Sequence, residues 1–259
     1  GGVDDLNEES AVIDNCSVDM NSEDSNIKAG FVYENKGKIT NSKTTLSVKS
    51  DSGYAGGFVG CNNKGTITKC TATGTVTGSY EAGGFVGFNY VGTITECTAT
   101  GNVTGNREVG GFAGYNWTGS ITNCIATGTA TGEYLVGGCL GYNYNGTIID
   151  CTAEGNVTGN EKSGGFVGCN NRGTITNCNA TGVVTGNNLI GGFAGFNCGT
   201  ITGTSTGDVS GDNYVGGFVG YNCGKITECK ANGKVNGENI TLDSFAGENS
   251  GKITDCIID

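Results

Sequence analysis

Gly83-Gly84-Phe85-Val86-Gly87-Phe88-Asn89, then Gly92-Thr93-Ile94-Thr95-Glu96-Cys97-Thr98-Ala99-Thr100-Gly101-Asn102-Val103-Thr104-Gly105, is one copy of a unit that recurs about every 27 residues. Its Gly-Gly-Phe step returns at Phe58, Phe85, Phe112, Phe166, Phe193 and Phe218, and Cys139 fills the Phe slot of the fourth copy. A unit this short, made mostly of Gly, Thr, Val, Asn and Ile, cannot bury a core alone, so the next copy must cover its apolar face. The expected molecule is a stack of coils, an architecture suited to binding or spacing.

The copies share three further columns. Ile recurs at Ile13, Ile39, Ile67, Ile94, Ile121, Ile148, Ile175, Ile201, Ile226 and Ile253. Three residues on, Cys recurs at Cys16, Cys70, Cys97, Cys124, Cys151, Cys178, Cys229 and Cys256, with Ser42 in the second copy and a deletion near Gly203. Asn recurs at Asn35, Asn62, Asn89, Asn116, Asn143, Asn170, Asn197, Asn222 and Asn249, just before the Gly that opens the next strand. Asn at a corner tolerates left-handed backbone angles, and aligned copies should form a side-chain amide ladder of the kind seen in cross-β stacks. Between the columns, Thr alternates with small apolar residues, the period-2 pattern of a half-buried strand. Ile67, Ala72 and Val76 are expected to face inward and Thr68, Thr73 and Thr77 outward.

These patterns predict an all-β fold, a parallel β-helix (β-solenoid) of nine to ten coils. At ~4.8 Å per rung the rod is roughly 45 Å long. Right-handed winding is expected from the preference of parallel crossovers. Residues 1–28 read as an N-terminal partial repeat or cap and residues 29–259 as one continuous solenoid. The chain is expected to be a monomeric rod within a larger polypeptide.

Composition narrows function. A net charge of −11, with 14 Lys and Arg, lacks the basic footprint of a nucleic-acid binder. No apolar run approaches the ~20 residues of a membrane span, so no membrane insertion is expected. The absence of His removes His-dependent triads and most zinc sites. Carboxylates such as Glu81, Glu96, Asp150, Glu154, Glu161 and Glu228 are scattered over loops. We therefore assign no catalytic residue, no metal ligand and no cofactor. The 13 Cys are an odd number, leaving at least one unpaired in a monomer. Inward Cys one rung apart place their Cβ atoms ~4.8 Å apart, beyond the ~3.8 Å disulfide mean, which favours buried thiols. Cys198 and Cys223 sit at consecutive corners where a bridge is conceivable, with thiols the favoured reading.

Candidate contact residues follow the strand. The slot after Gly-Gly-Phe-Val-Gly holds Phe88, Tyr115, Tyr142, Phe196 and Tyr221, with Cys61 and Cys169 between. Packed inward it is a ladder, and turned outward it is an aromatic stripe; the covered arrangement is favoured. Tyr90, Trp117 and Tyr144, at neighbouring corners, are the candidates for contact with a glycan or protein. A rank of Thr40, Thr68, Thr95, Thr122, Thr176, Thr202, Thr227 and Thr254 raises ice binding as a minor alternative, weakened by Lys38, Lys225 and Lys252 in the partner rank.

The string Gly-Gly-Phe-Val-Gly-x-Asn followed by Gly-Thr-Ile-Thr-x-Cys-Thr-Ala-Thr-Gly-x-Val-Thr-Gly resembles the GLUG repeat of bacterial surface and secreted proteins, including some immunoglobulin A peptidases. Its Gly-Gly-φ-Val-Gly core is met at residues 56–60, 83–87 and 164–168, with Phe where the family often has Leu. The resemblance implies an extracellular or cell-surface location and a noncatalytic, adhesin-like stalk or scaffold that binds host or matrix protein or glycan. The alternative it implies is a carbohydrate-binding accessory region of a larger enzyme or peptidase.

Overall fold

The computed structural model describes residue 2 and residues 4–22, 26–237 and 245–259. It is an all-β solenoid of about nine turns. One coil runs through the strands Val86–Tyr90, Thr93–Thr95, Thr98–Ala99, Val103–Thr104 and Arg107–Gly110. The strands pair in parallel with their own copies in the adjacent coils: Ile94 lies between Ile67 and Ile121, and Ala99 between Ala72 and Ala126. Near the N-terminus the same register joins Asn7 to Asn35 and Ile13 to Ile39. Among the described residues no helix is long and apolar enough to cross a membrane.

The core follows the alternation read from the sequence. Ile67, Ala72 and Val76 are buried, whereas Thr68 is half-buried and Thr73 and Thr77 are exposed. The Phe column forms two stacks of near-parallel rings, Phe31 to Phe112 and Phe166 to Phe245, with successive centroids 4.5–5.0 Å apart. Cys139 separates them. Each buried Phe contributes roughly 2–3 kcal/mol of transfer free energy. Phe31 and Phe245 belong to this column although their Gly pairs are broken. Spacing could have found them, because both stand eight residues before a column Ile, as Phe193 and Phe218 do.

The paired glycines answer to space and not to backbone angle. A Cβ on Gly84 would lie 2.1 Å from the Gly111 carbonyl oxygen of the next rung, and one on Gly83 would lie 1.9 Å from Val86 O. Among the described glycines only Gly53 has a positive φ, +74°.

The Asn column forms the predicted ladder with a different backbone from the one expected. Nδ2 of each Asn donates to Oδ1 of the next, from Asn7 through Asn249, at 2.7–2.9 Å. These Asn are not left-handed. Left-handed angles fall two residues later in the long corners, at Lys64, Val91, Thr118, Asn145 and Arg172, and again just before each core Cys, as at Glu96 and Asn123. In the long corners the inward ladder side chain also closes the corner from its amide, Asn62 Nδ2 donating to Gly65 O and Asn89 Nδ2 to Gly92 O, both at 3.1 Å, and the exposed residue two positions on takes the tight angle. In the short corners Oδ1 takes part as well: Gly37 N donates to Asn35 Oδ1 at 3.2 Å, and Gly199 N to Asn197 Oδ1 at 3.1 Å.

Cysteine state divides by position. Cys198 and Cys223 are joined in a disulfide with Cα atoms 4.8 Å apart, which corrects the expectation of thiols there. Two successive short corners bring the residue after the ladder Asn into line, within the ~4.4–6.8 Å that a bridge spans. The other eleven Cys are free, and nine of them are buried. The core thiols are used locally: Cys70 N donates to Cys97 Sγ at 3.5 Å, and Cys70 Sγ donates to Thr68 O at 3.4 Å.

Candidate binding face

In the strand Val86–Tyr90 the side chain of Asn89 is buried, which turns Phe88 and Tyr90 to the outside of the coil, both half-buried. The aromatic column therefore faces outward and is partly covered. Its cover comes from the variable loop, where one residue per coil takes a left-handed angle before the Gly pair: Glu81, Glu108, Leu135, Lys162, Leu189 and Tyr214. The third Gly of each repeat makes room for that fold, since a Cβ on Gly87 would lie 2.8 Å from Glu81 O. The covering residue reaches the aromatic of the following coil. Tyr54 lies 5.1 Å from Phe88 between ring centroids, and Lys162 Nζ is 5.4 Å from the Phe196 centroid.

Tyr90, Trp117 and Tyr144 occupy one register position on successive coils. Tyr90 stacks on Trp117 at 4.9 Å and 3°, and Trp117 on Tyr144 at 6.2 Å and 10°. The rings thus cover one another's faces and turn their edges to solvent. Beside them Phe88 is 5.1 Å from Tyr115, and Tyr115 is 4.8 Å from Tyr142. Polar side chains border the rows: Asn171 donates to Tyr142 Oη at 3.1 Å, and Arg172 to Tyr144 Oη at 3.4 Å.

Two carboxylates that looked scattered share one column of this face. Glu81 and Glu108 are 27 residues apart, a spacing that could have paired them from the sequence. Burial raises the pKa of both; a nearby Glu108 adds to the rise at Glu81, and Arg107 opposes it at both. Arg107 Nη2 stands 3.7 Å from Glu108 Oε1. Burial, then Tyr142 and Glu108, push the Tyr115 phenol up to about 12.

The Thr faces are regular but not uniform. Thr95 and Thr122 align in register, and Ile149 then interrupts the rank before Thr176. Lys38 and Lys225 lie toward the ends of the rod, pairing with Thr66 and Thr200.

The family model for the GLUG motif matches residues 51–77, 78–104, 105–131, 132–158, 159–185 and 211–236. The chain belongs to the GLUG family. Residues 186–210, between the last two matches, contain the coil in which Gly203 pairs with Cys178 after a register shift, so the deletion falls where a GLUG coil would carry its Cys. No curated protein and no solved structure matched the chain.

Proposed function

We propose that this GLUG solenoid is a noncatalytic, adhesin-like module of a bacterial surface or secreted protein, a stiff rod that holds a partner-binding face at fixed spacing. The observation that carries the reading is the continuous amide ladder from Asn7 to Asn249. Each coil satisfies the buried polar groups of the next, and networks of satisfied polar groups rigidify the structure that holds them. Stiffness is what a stalk needs, and the outward aromatic column is the surface it presents. The extracellular setting follows from where GLUG repeats occur. A glycan-binding accessory role ranks second, because sugar stacking uses open ring faces and here the rings of Tyr90, Trp117 and Tyr144 cover one another.

Beads coated with the chain and passed over immobilised matrix proteins, mucin and serum albumin test this. Retention under flow above the albumin control is the expected result. Retention equal to albumin on every surface, or release of products from a polysaccharide or peptide panel, overturns the proposal.

A further inference from the structure

The covering column of the variable loop shows what the aromatic face accepts. In two coils the covering residue sits over the aromatic found 34 positions later: Tyr54 over Phe88, Lys162 over Phe196. At the second of these the protein seats its own ammonium on the face. Lys162 Nζ is 5.4 Å from the Phe196 ring centroid, 5.1 Å from that of Tyr134, and donates to Tyr134 Oη at 2.7 Å. Cys169, the small residue one rung before Phe196, leaves that ring face open for it. Arg107 likewise places Cζ 4.9 Å over Tyr134. Cations on these rings are therefore a feature of the fold, as expected of ring quadrupoles.

Three and two coils earlier the same column carries Glu81 and Glu108. Glu81 is half-buried and forms no hydrogen bond or ion pair among the described residues; Glu108 is paired with Arg107 alone, 3.7 Å away. Partial burial of a carboxylate is unfavourable, and burial raises the pKa of both, with the Arg107 charge opposing it without cancelling it. A cation arriving from outside would offset that cost. The phenols of Tyr54 and Tyr115 lie close enough to Glu81 for its charge to act on them, behind burial as the first cause of their raised pKa values. The chain as a whole carries −11, which draws cationic partners and speeds their encounter.

We propose that the Glu81–Glu108 stretch of the aromatic face binds the ammonium or guanidinium side chains of a basic polypeptide segment lying along the rod. The two carboxylates stand one rung apart, ~4.8 Å, while alternate side chains of an extended peptide stand roughly 6.6 Å apart, a difference the flexible Lys stem absorbs. The proposal rests on the reading of the rod as a binding module and gives that face its partner chemistry.

The test is fluorescence anisotropy of a labelled Lys-Gly-Lys-Gly-Lys peptide titrated with the full chain, beside its acetyl-lysine form and a neutral chitin oligomer. The lysine peptide should bind, and acetylation should abolish binding. Glu81→Gln with Glu108→Gln should weaken it by about tenfold or more, the effect of losing charged hydrogen bonds. Glu154→Gln with Glu228→Gln, on other faces, should leave it unchanged. Arg107→Gln, which frees Glu108 and is exposed, should tighten binding severalfold and keeps the test informative if the double variant folds poorly. Equal weakening by the two carboxylate pairs, no tightening in Arg107→Gln, or binding of the oligosaccharide alone would overturn the proposal. Peptide binding lost while coated beads still adhere sinks this inference and spares the adhesin reading; the reverse pattern sinks the reading and spares this site.

Discussion

Asn89 donates its side-chain amide to Asn116 Oδ1 at 2.7 Å, and Asn116 donates in turn to Asn143 Oδ1 at 2.8 Å, with all three residues buried. Asn116 therefore answers two ladder partners that have no access to water, and its Nδ2 also donates to Gly119 O at 3.0 Å. Asn116→Ala should leave one buried N–H of Asn89 Nδ2 and the buried Asn143 Oδ1 without their ladder partner, at about 1–3 kcal/mol each. Asn249→Ala, at the exposed end of the ladder, should cost under about 1 kcal/mol. Urea denaturation of both variants checks this, and equal losses would mean that the ladder adds nothing beyond its coil.

Ser163 Oγ is the one buried side-chain polar atom without a hydrogen-bond partner among the described residues. It stands in an apolar column, between Val136 and Ile190 in register. Ser163→Ala removes the unmet hydroxyl and should stabilise the protein by about 1 kcal/mol. A lower denaturation midpoint than the parent would show that the hydroxyl has a partner in solution.

Val91 has φ = 54° at an exposed corner, an angle that costs a β-branched residue about 1–2 kcal/mol and Asn much less. Val91→Asn should raise stability by about 1 kcal/mol. Thr93→Asn, in the adjoining strand, should not. Thermal melts of the pair decide it, and a gain in both or in neither removes the strain argument.

The repeat columns were legible because each reports a single requirement that every coil meets. Ile fills the core, Asn closes the ladder and paired Gly clears the next rung's carbonyl. What the sequence hid lies where the requirement is one of angle or of neighbours in space. Val91 and Thr118 carry no mark of a left-handed backbone, and the outward turn of Phe88 depends on Asn89 pointing in. The sequence put Cys198 and Cys223 at consecutive corners, but that they are close enough to bridge depends on how two shortened corners meet in the stack. Glu81 and Glu108 looked scattered because loops are compared by composition, yet the fixed period had already placed them in one column.

Burial pushes the thiols of Cys61 and Cys169 up to about 12 from an ordinary value of 9.0. A raised thiol pKa means that the folded state holds its proton more tightly than the unfolded chain. The stabilising contribution is complete below about pH 9 and is lost as pH rises toward 12. Stability should therefore decline across that window, and less so in Cys61→Ser with Cys169→Ser. Because the thiolate is the reactive form, native labelling of Cys61 and Cys169 by a maleimide at pH 8 should be slow, whereas the nonreduced, denatured chain should titrate eleven thiols. Thirteen thiols would rule out the corner bridge.

Cys139 interrupts the Phe stack between Phe112 and Phe166, and the residue after it, Leu140, is larger than its register neighbours Ala113 and Val167. Both Cys139 and Leu140 are fully buried, so the pair reads as an exchange of volume, a small residue in the Phe slot offset by a large one beside it. Cys139→Phe alone should overpack the coil and cost about 1–3 kcal/mol. Leu140→Val alone should leave a void and cost about 1 kcal/mol. Together they would rebuild the Phe166-Val167 step of the following coil, and the double variant should be at least as stable as the parent. The double-mutant cycle should give a favourable coupling of about 2 kcal/mol or more. Additive losses would mean that Leu140 does not occupy the space Phe would need, and that the break in the stack is held by something other than volume.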